Sequence, residues 1–179
     1  MRLIFALLFC MILLFGCCGT LTPDDEKIEY LVYETDTYAI EYPEDWNVLI
    51  HDDGEFDENY SFVKFKSKWE RNSDTVLETL DIAIQEDSEL MTFEDFELME
   101  ILLLYEGEEV VRTENITFAN QNALLLIVEG NMDGTEITYH VIYFQHDGKT
   151  YRIQSVSEDA KQDKYAPIFQ RMKDSFELK

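Results

Sequence analysis

The chain has three cysteines, Cys10, Cys17 and Cys18, all within its first eighteen residues. Whatever folds beyond residue 18 therefore holds no disulfide, no thiolate nucleophile and no cysteine metal ligand. Basic residues are scarce too: 14 Lys and Arg stand against 38 Asp and Glu in 179 residues, a formal charge of −24. Nucleic-acid binding depends on Lys and Arg neutralising phosphates, so this balance argues against it. It also opposes a domain lying flat on an anionic leaflet. Solubility through self-repulsion is the simplest use of such a charge; a salty habitat or a cationic partner also fits it. Histidine is limited to His51, His140 and His146, without a His-x-x-x-His or Glu-x-x-His pair, so zinc has no pattern to support it. There is no Gly-x-Ser-x-Gly elbow, no glycine-rich phosphate loop, no internal repeat and no low-complexity stretch. With this many acids, paired carboxylates arise by chance and do not mark a glycosidase dyad.

What is present begins at the N-terminus. Arg2 gives a basic start, residues 3–15 are an almost unbroken apolar run, and Leu14-Phe15-Gly16-Cys17 closes it. This resembles the lipobox of bacterial and archaeal lipoproteins, with a small residue before the cut and the acceptor cysteine after it. As a helix, residues 3–16 would reach about 21 Å at 1.5 Å per residue, short of the roughly 30 Å hydrocarbon core. The expectation is a signal peptide over residues 1–16, lipidation of Cys17, and a small, polar, acidic tether over residues 17–28. Two acyl chains hold a membrane durably where one does not, each buried CH2 contributing about 0.8 kcal/mol. Cys18 is either a second acylation site or a bystander. With Arg2 removed, 13 basic residues face 38 acids, so the mature charge is −25.

Residues 29–179 read as a single domain, large enough to bury one core. The 12 Phe and 10 Tyr exclude a disordered acidic tail. Strand patterns occupy residues 28–35, 37–42, 47–51, 60–66 and 79–85, the last with Leu80, Ile82 and Ile84 facing one way. Thr92 opens a helix as the first residue of a capping box with Asp95, and Met91 is placed to staple onto Phe96. The expected inner stripe is Phe96, Met99, Leu102 and Leu103, with Glu94, Glu97 and Glu100 outward and Gly107 as the terminating glycine. Four strands follow, at 110–118, 123–130, 136–145 and 149–156, with turns at residues 119–122, Asp133-Gly134 and Asp147-Gly148. Residues 124–128 are apolar on both faces, which predicts a central, covered strand. A last helix starts near Asp163, with Pro167 in its first turn and Tyr165, Phe169, Met172 and Phe176 inward.

Two stretches then become informative together. One is Tyr38-Ala39-Ile40-Glu41-Tyr42-Pro43-Glu44-Asp45-Trp46. The other is Gly148-Lys149-Thr150-Tyr151-Arg152-Ile153, followed by Tyr165-Ala166-Pro167-Ile168-Phe169 and Ser175-Phe176. In this order they resemble the PsbP-like superfamily, over roughly residues 30–178 in element order. The resemblance implies an α+β fold: a central antiparallel β-sheet flanked by helices on both faces, an α/β/α sandwich. It does not fix function, because the same fold serves unrelated roles. Trp46 and Tyr42 flank a proline corner and are expected to cap the core.

The densest acidic run is Asp52, Asp53, Glu55, Asp57 and Glu58. An EF-hand register starting at Asp53 fails, since Glu58 replaces the needed glycine and Lys64 the final glutamate. A solvated loop or a weak, irregular cation site remain as readings. Asn59-Tyr60-Ser61 and Asn115-Ile116-Thr117 match the N-glycosylation pattern. The leading expectation is a lipid-anchored, non-catalytic binding or accessory protein on the outer face of a prokaryotic cell membrane. It would hold no cofactor or metal, touch the membrane through the lipid on Cys17, and meet a protein partner in the cell envelope. The alternatives are a hydrolase acting on a cell-envelope polymer and a weak divalent-cation-binding surface protein. An enzyme needs a concave pocket with converging polar groups. A binding module needs an exposed apolar patch or open sheet face, and Trp69 is where the sequence points for one.

Overall fold

Three tight turns set the architecture. Ala119-Asn120, Asp133-Gly134 and Asp147-Gly148 all have positive φ at both central residues, from +48° to +89°. Such turns match the right-handed twist of the strands they join. They link β6 (Glu109–Phe118), β7 (Gln121–Met132), β8 (Thr135–His146) and β9 (Lys149–Glu158) into an antiparallel meander. The other side of β9 pairs with β5 (Thr79–Gln85), which continues to β4 (Tyr60–Lys66) and β3 (Asn47–His51). The seven-stranded order is β3-β4-β5-β9-β8-β7-β6. This computed structural model describes residues 28–51, 60–70, 76–86 and 90–179. Cys17, Cys18, the tether up to residue 27, the acidic run from Asp52 to Glu58, and Asn59 lie outside the described residues.

The sheet is not the only one. β1 (Tyr30–Glu34) and β2 (Tyr38–Pro43) form a separate three-stranded sheet, which the C-terminal β10 (Glu177–Leu178) completes against β2. The single central sheet read from the sequence is thus two. The chain turns at Pro43, where the Trp46 amide donates to the Pro43 carbonyl at 3.0 Å, so β2 does not run on into β3. The last residues return instead, and the Lys179 amide donates to the Thr37 carbonyl at 3.0 Å.

Among the described residues two helices accompany the strands: α1 (Phe93–Leu103), and α2 (Gln162–Asp174) after a 3-10 turn at Asp159–Lys161. On α2 the expected stripe is buried: Tyr165, Phe169 and Met172, with Ile168 added and Phe176 just beyond. Pro167, however, is the sixth helical residue and not in the first turn. Its missing N–H leaves the Asp163 carbonyl without a helical donor, which is tolerable because both residues are exposed to water. The α2 stripe, Tyr38, Trp46, Phe65, Phe144, Tyr151 and Ile153 form one core cluster. Trp46 lies edge-on to Phe169 at 5.8 Å, and Phe176 stacks on Tyr38 at 5.3 Å. The proline corner does cap the core, as its sequence suggests.

A second cluster joins Phe96 of α1 to Leu124, Leu126, Val141 and Tyr143. Ile142 and Phe144, the alternate residues of β8, belong to the first cluster. β7 is likewise covered on both faces, with Leu124 and Leu126 in the second cluster and Ala123 in the first, yet it is second from the sheet edge and not central. Burial on both faces reports layers over and under a strand, not its position within the sheet.

Candidate interaction surface on the mid-chain helix

Thr92 sets the start of α1 as a full capping box. Its hydroxyl accepts from the Asp95 amide at 3.2 Å, and the Asp95 carboxylate accepts from the Thr92 amide at 2.7 Å. These contacts hold the Asp95 carboxyl below its ordinary range and satisfy donors that the helix leaves free. The helix stops at Leu103, four residues before Gly107. Gly107, at φ +91°, belongs to the turn that leads into β6 and is not the helix cap.

The inward face of α1 departs from the sequence reading. Phe96 stacks on Tyr143 with ring centres 5.1 Å apart. Four residues on, Glu100 is only 4% exposed. Its two oxygens accept from the Arg152 guanidinium at 2.9 and 3.0 Å, and Oε2 also accepts from the Tyr143 hydroxyl at 2.7 Å. Burial works against the charge on Arg152, but Glu100 and Tyr143 more than offset it, and the guanidinium pKa rises. Burial pushes the Tyr143 phenol up as well. The sequence pattern sets Glu100 outward with Glu94 and Glu97; the structure turns it inward, its spacing of four from Phe96 putting it on the same face. That spacing, with Arg152 alternating against Tyr151 and Ile153, is the sequence signal for this cluster.

If Glu100 faces in, the opposite side must carry apolar residues outward. Leu98, Ile101 and Leu102 are 56%, 48% and 76% exposed, at i, i+3 and i+4 of one stripe. Leu102 and Leu103, both expected in the core, are thus exposed, as are Leu90 and Tyr105 at either end. An apolar stripe on a helix is ordinarily covered, and the described residues leave this one in water. The exposed charged residues along the helix and the segment that follows it are all acidic: Glu94, Asp95, Glu106 and Glu109. No Lys, Arg or His occurs between Arg71 and Arg112, and Arg112 is already paired with Glu114.

The remaining sequence candidates are scattered. Trp69 is exposed, as its segment suggested, but the larger set of exposed apolar side chains among the described residues is on α1. His140 is half-buried on β8; burial, then the charges of Lys173 and Arg112, hold its pKa below 6.5. His146 lies 3.5 Å from Asp147 in the neighbouring turn. Asn115 is exposed on the edge strand β6. Among the described residues no group of three or more His, Cys, Asp or Glu is placed to hold a metal ion. A half-open cleft of about 280 Å³ lies between the β1–β2 turn and strands β3 to β5. Its polar rim, Thr35, Asp36, Thr37 and Ser61, surrounds an apolar floor that includes Ile82 and Ile84. The Thr35 and Thr37 hydroxyls lie 3.2 Å apart, and the Tyr38 amide donates to Thr35, so this turn is tied to itself. No helix among the described residues is long and apolar enough to cross a membrane.

No family model matches the chain, and no curated protein does. Solved structures do match it. Cyanobacterial PsbP (CyanoP) from Synechocystis sp. PCC 6803 superposes with a TM-score of 0.59 at 17% identity, covering 92% of this chain and 99% of that one. LpqN of Mycobacterium tuberculosis, involved in cell envelope biogenesis, gives 0.52 at 10% identity, covering 86% and 92%. PA94 of Pseudomonas aeruginosa, a protein of unknown function, gives 0.51 at 13% identity, covering 79% and 92%. At these identities the likeness establishes fold and not activity. The residues that carried the sequence resemblance, from Tyr38 and Trp46 to Tyr151, Tyr165, Phe169 and Phe176, all meet in one core, and the α+β fold they build is PsbP-like.

Proposed function

We propose that this chain is a lipid-anchored, non-catalytic extracytoplasmic protein that works by binding a partner in the cell envelope. The observation that carries this reading is the uncovered apolar face of α1, with Leu98, Ile101 and Leu102 turned to solvent. Exposed apolar stripes of this kind mark interaction sites. The likeness to LpqN, a protein of cell envelope biogenesis, agrees with it. The domain plan is a signal peptide over residues 1–16, a tether over 17–28 and one domain over 29–179. The architecture is best read as a sheet with a helix on each face. Alternate residues of β8 support that reading, Val141 and Tyr143 packing with α1's Phe96 while Ile142 and Phe144 pack with α2's cluster.

Anchor and binding are tested separately. Cys17→Ser should move the protein from the membrane fraction to the soluble one, and identical partitioning of mutant and wild type defeats the anchor. For binding, the anchored protein is crosslinked and captured from its native membrane. Recovery of a stoichiometric envelope protein supports the reading, and recovery of none counts against it.

A further inference from the structure

We infer that the outer face of α1 docks an amphipathic helix of a partner protein, one whose apolar stripe is flanked by Lys and Arg. The inference rests on the binding role proposed above and narrows it to one class of occupant. Its geometric basis is the stripe itself. Leu98, Ile101 and Leu102 form a ridge, extended by Tyr105 where the chain leaves the helix. Ridges at this spacing pack into the grooves of a second helix. The ridge is short, because α1 has eleven residues, so it engages about three turns of a partner at 3.6 residues per turn.

Charge decides among the occupants. Glu94 and Glu97 lie one helical turn before Leu98 and Ile101 and border the ridge on its N-terminal side. Glu106 and Glu109 border the other end. The sequence between Arg71 and Arg112 holds no basic residue, and Glu97 accepts only a neutral donor there, the Thr113 hydroxyl of β6 at 3.1 Å. A second copy of the chain, meeting this one about a two-fold axis, would set the two acidic rims against each other. A bilayer is disfavoured for a related reason. Helices that lie in the membrane interface carry Lys and Arg on their polar face to meet anionic headgroups, and this one carries only acids. An apolar stripe with a basic border satisfies both features together: its centre covers the leucines and its rim pairs with the carboxylates.

The full-length anchored protein provides the test. A photoreactive benzoylphenylalanine is placed at position 98 or 102, cells are irradiated, and the crosslinked peptide is mapped by mass spectrometry. The expected product joins position 98 or 102 to a protein segment with apolar residues three and four apart and Lys or Arg on either side. The Glu94→Lys, Glu97→Lys pair should lower that yield by about tenfold or more through like-charge repulsion. The neutral Glu94→Gln, Glu97→Gln pair should fall in between. Unchanged melting temperatures show that the variants fold. Crosslinks to lipid, to the chain itself, or to a segment without basic flanks overturn the inference, as does a yield indifferent to the charge reversal. In those cases the general binding role still stands. No crosslink from either position defeats both.

Discussion

The carboxylate of Glu100 and the guanidinium of Arg152 meet through paired hydrogen bonds of 2.9 and 3.0 Å beneath α1. With the Tyr143 hydroxyl, which donates to Glu100 and accepts from Arg152 at 2.8 Å, they close a buried polar cluster between the helix and the sheet. The cluster fixes the rotation of α1 about its own axis, and so decides which leucines face outward.

Removing one partner of a buried pair leaves the other charge uncompensated, at a cost of about 3–5 kcal/mol. Glu100→Leu should therefore lower unfolding stability in urea by that order. Joining it to Arg152→Met should restore most of the loss, since apolar replacement of a buried pair is often neutral. A single-mutant loss below about 1 kcal/mol would show that the pair is solvated and does not orient the helix.

The chain's local signals were legible where one rule acts alone. Asp133-Gly134 and Asp147-Gly148 announced their hairpins, and Thr92 with Asp95 announced the start of α1, because each is a short-range contact between neighbours. What the sequence obscured was settled at long range. Glu100 is drawn inward by Arg152, 52 residues away, and no pattern within the helix contains that partner. The two-residue β10 has no sequence signature, because the strand it pairs with, β2, lies near the other end of the domain. Cys17, the lipidation site read from the sequence, lies outside the described residues, so the candidate site that emerged is a different one.

Ala119 occupies the first central position of its hairpin turn at φ +48°, followed by Asn120 at +61°. An alanine there brings Cβ too close to a carbonyl oxygen, at about 1–2 kcal/mol. Ala119→Gly or Ala119→Asn should raise stability by roughly 0.5–1 kcal/mol, Asn-Gly and Asp-Gly being the preferred pairs for this turn. Thermal melts at neutral pH read the effect, and a lower melting temperature for both variants would contradict it.

His140 should make the domain acid-sensitive. Burial, aided by the positive charges of Lys173 and Arg112, keeps its folded pKa below 6.5. As pH falls past about 6.5 the unfolded chain takes up a proton that the folded chain refuses, so the unfolded state binds more protons and stability drops. Above that pH the histidine is neutral in both states and contributes no slope. His140→Gln should flatten the fall in melting temperature between about pH 6.5 and the lower folded pKa. Parallel curves for wild type and variant would rule out this assignment.

The two faces of α1 should respond very unequally to substitution. Phe96 is buried against Tyr143, Leu124 and Leu126, so Phe96→Ala should cost about 3–5 kcal/mol through lost burial and the cavity left behind. Leu98→Gln and Leu102→Gln touch side chains that the protein leaves in water. Each should shift unfolding stability by no more than about 0.5 kcal/mol. Both glutamines should also reduce binding of a dye that reports exposed apolar surface. The contrast separates a docking face from a helix merely packed loosely on the sheet. In the second case Leu102→Gln would unfold the domain nearly as readily as Phe96→Ala, and the outward ridge would have to be counted as core.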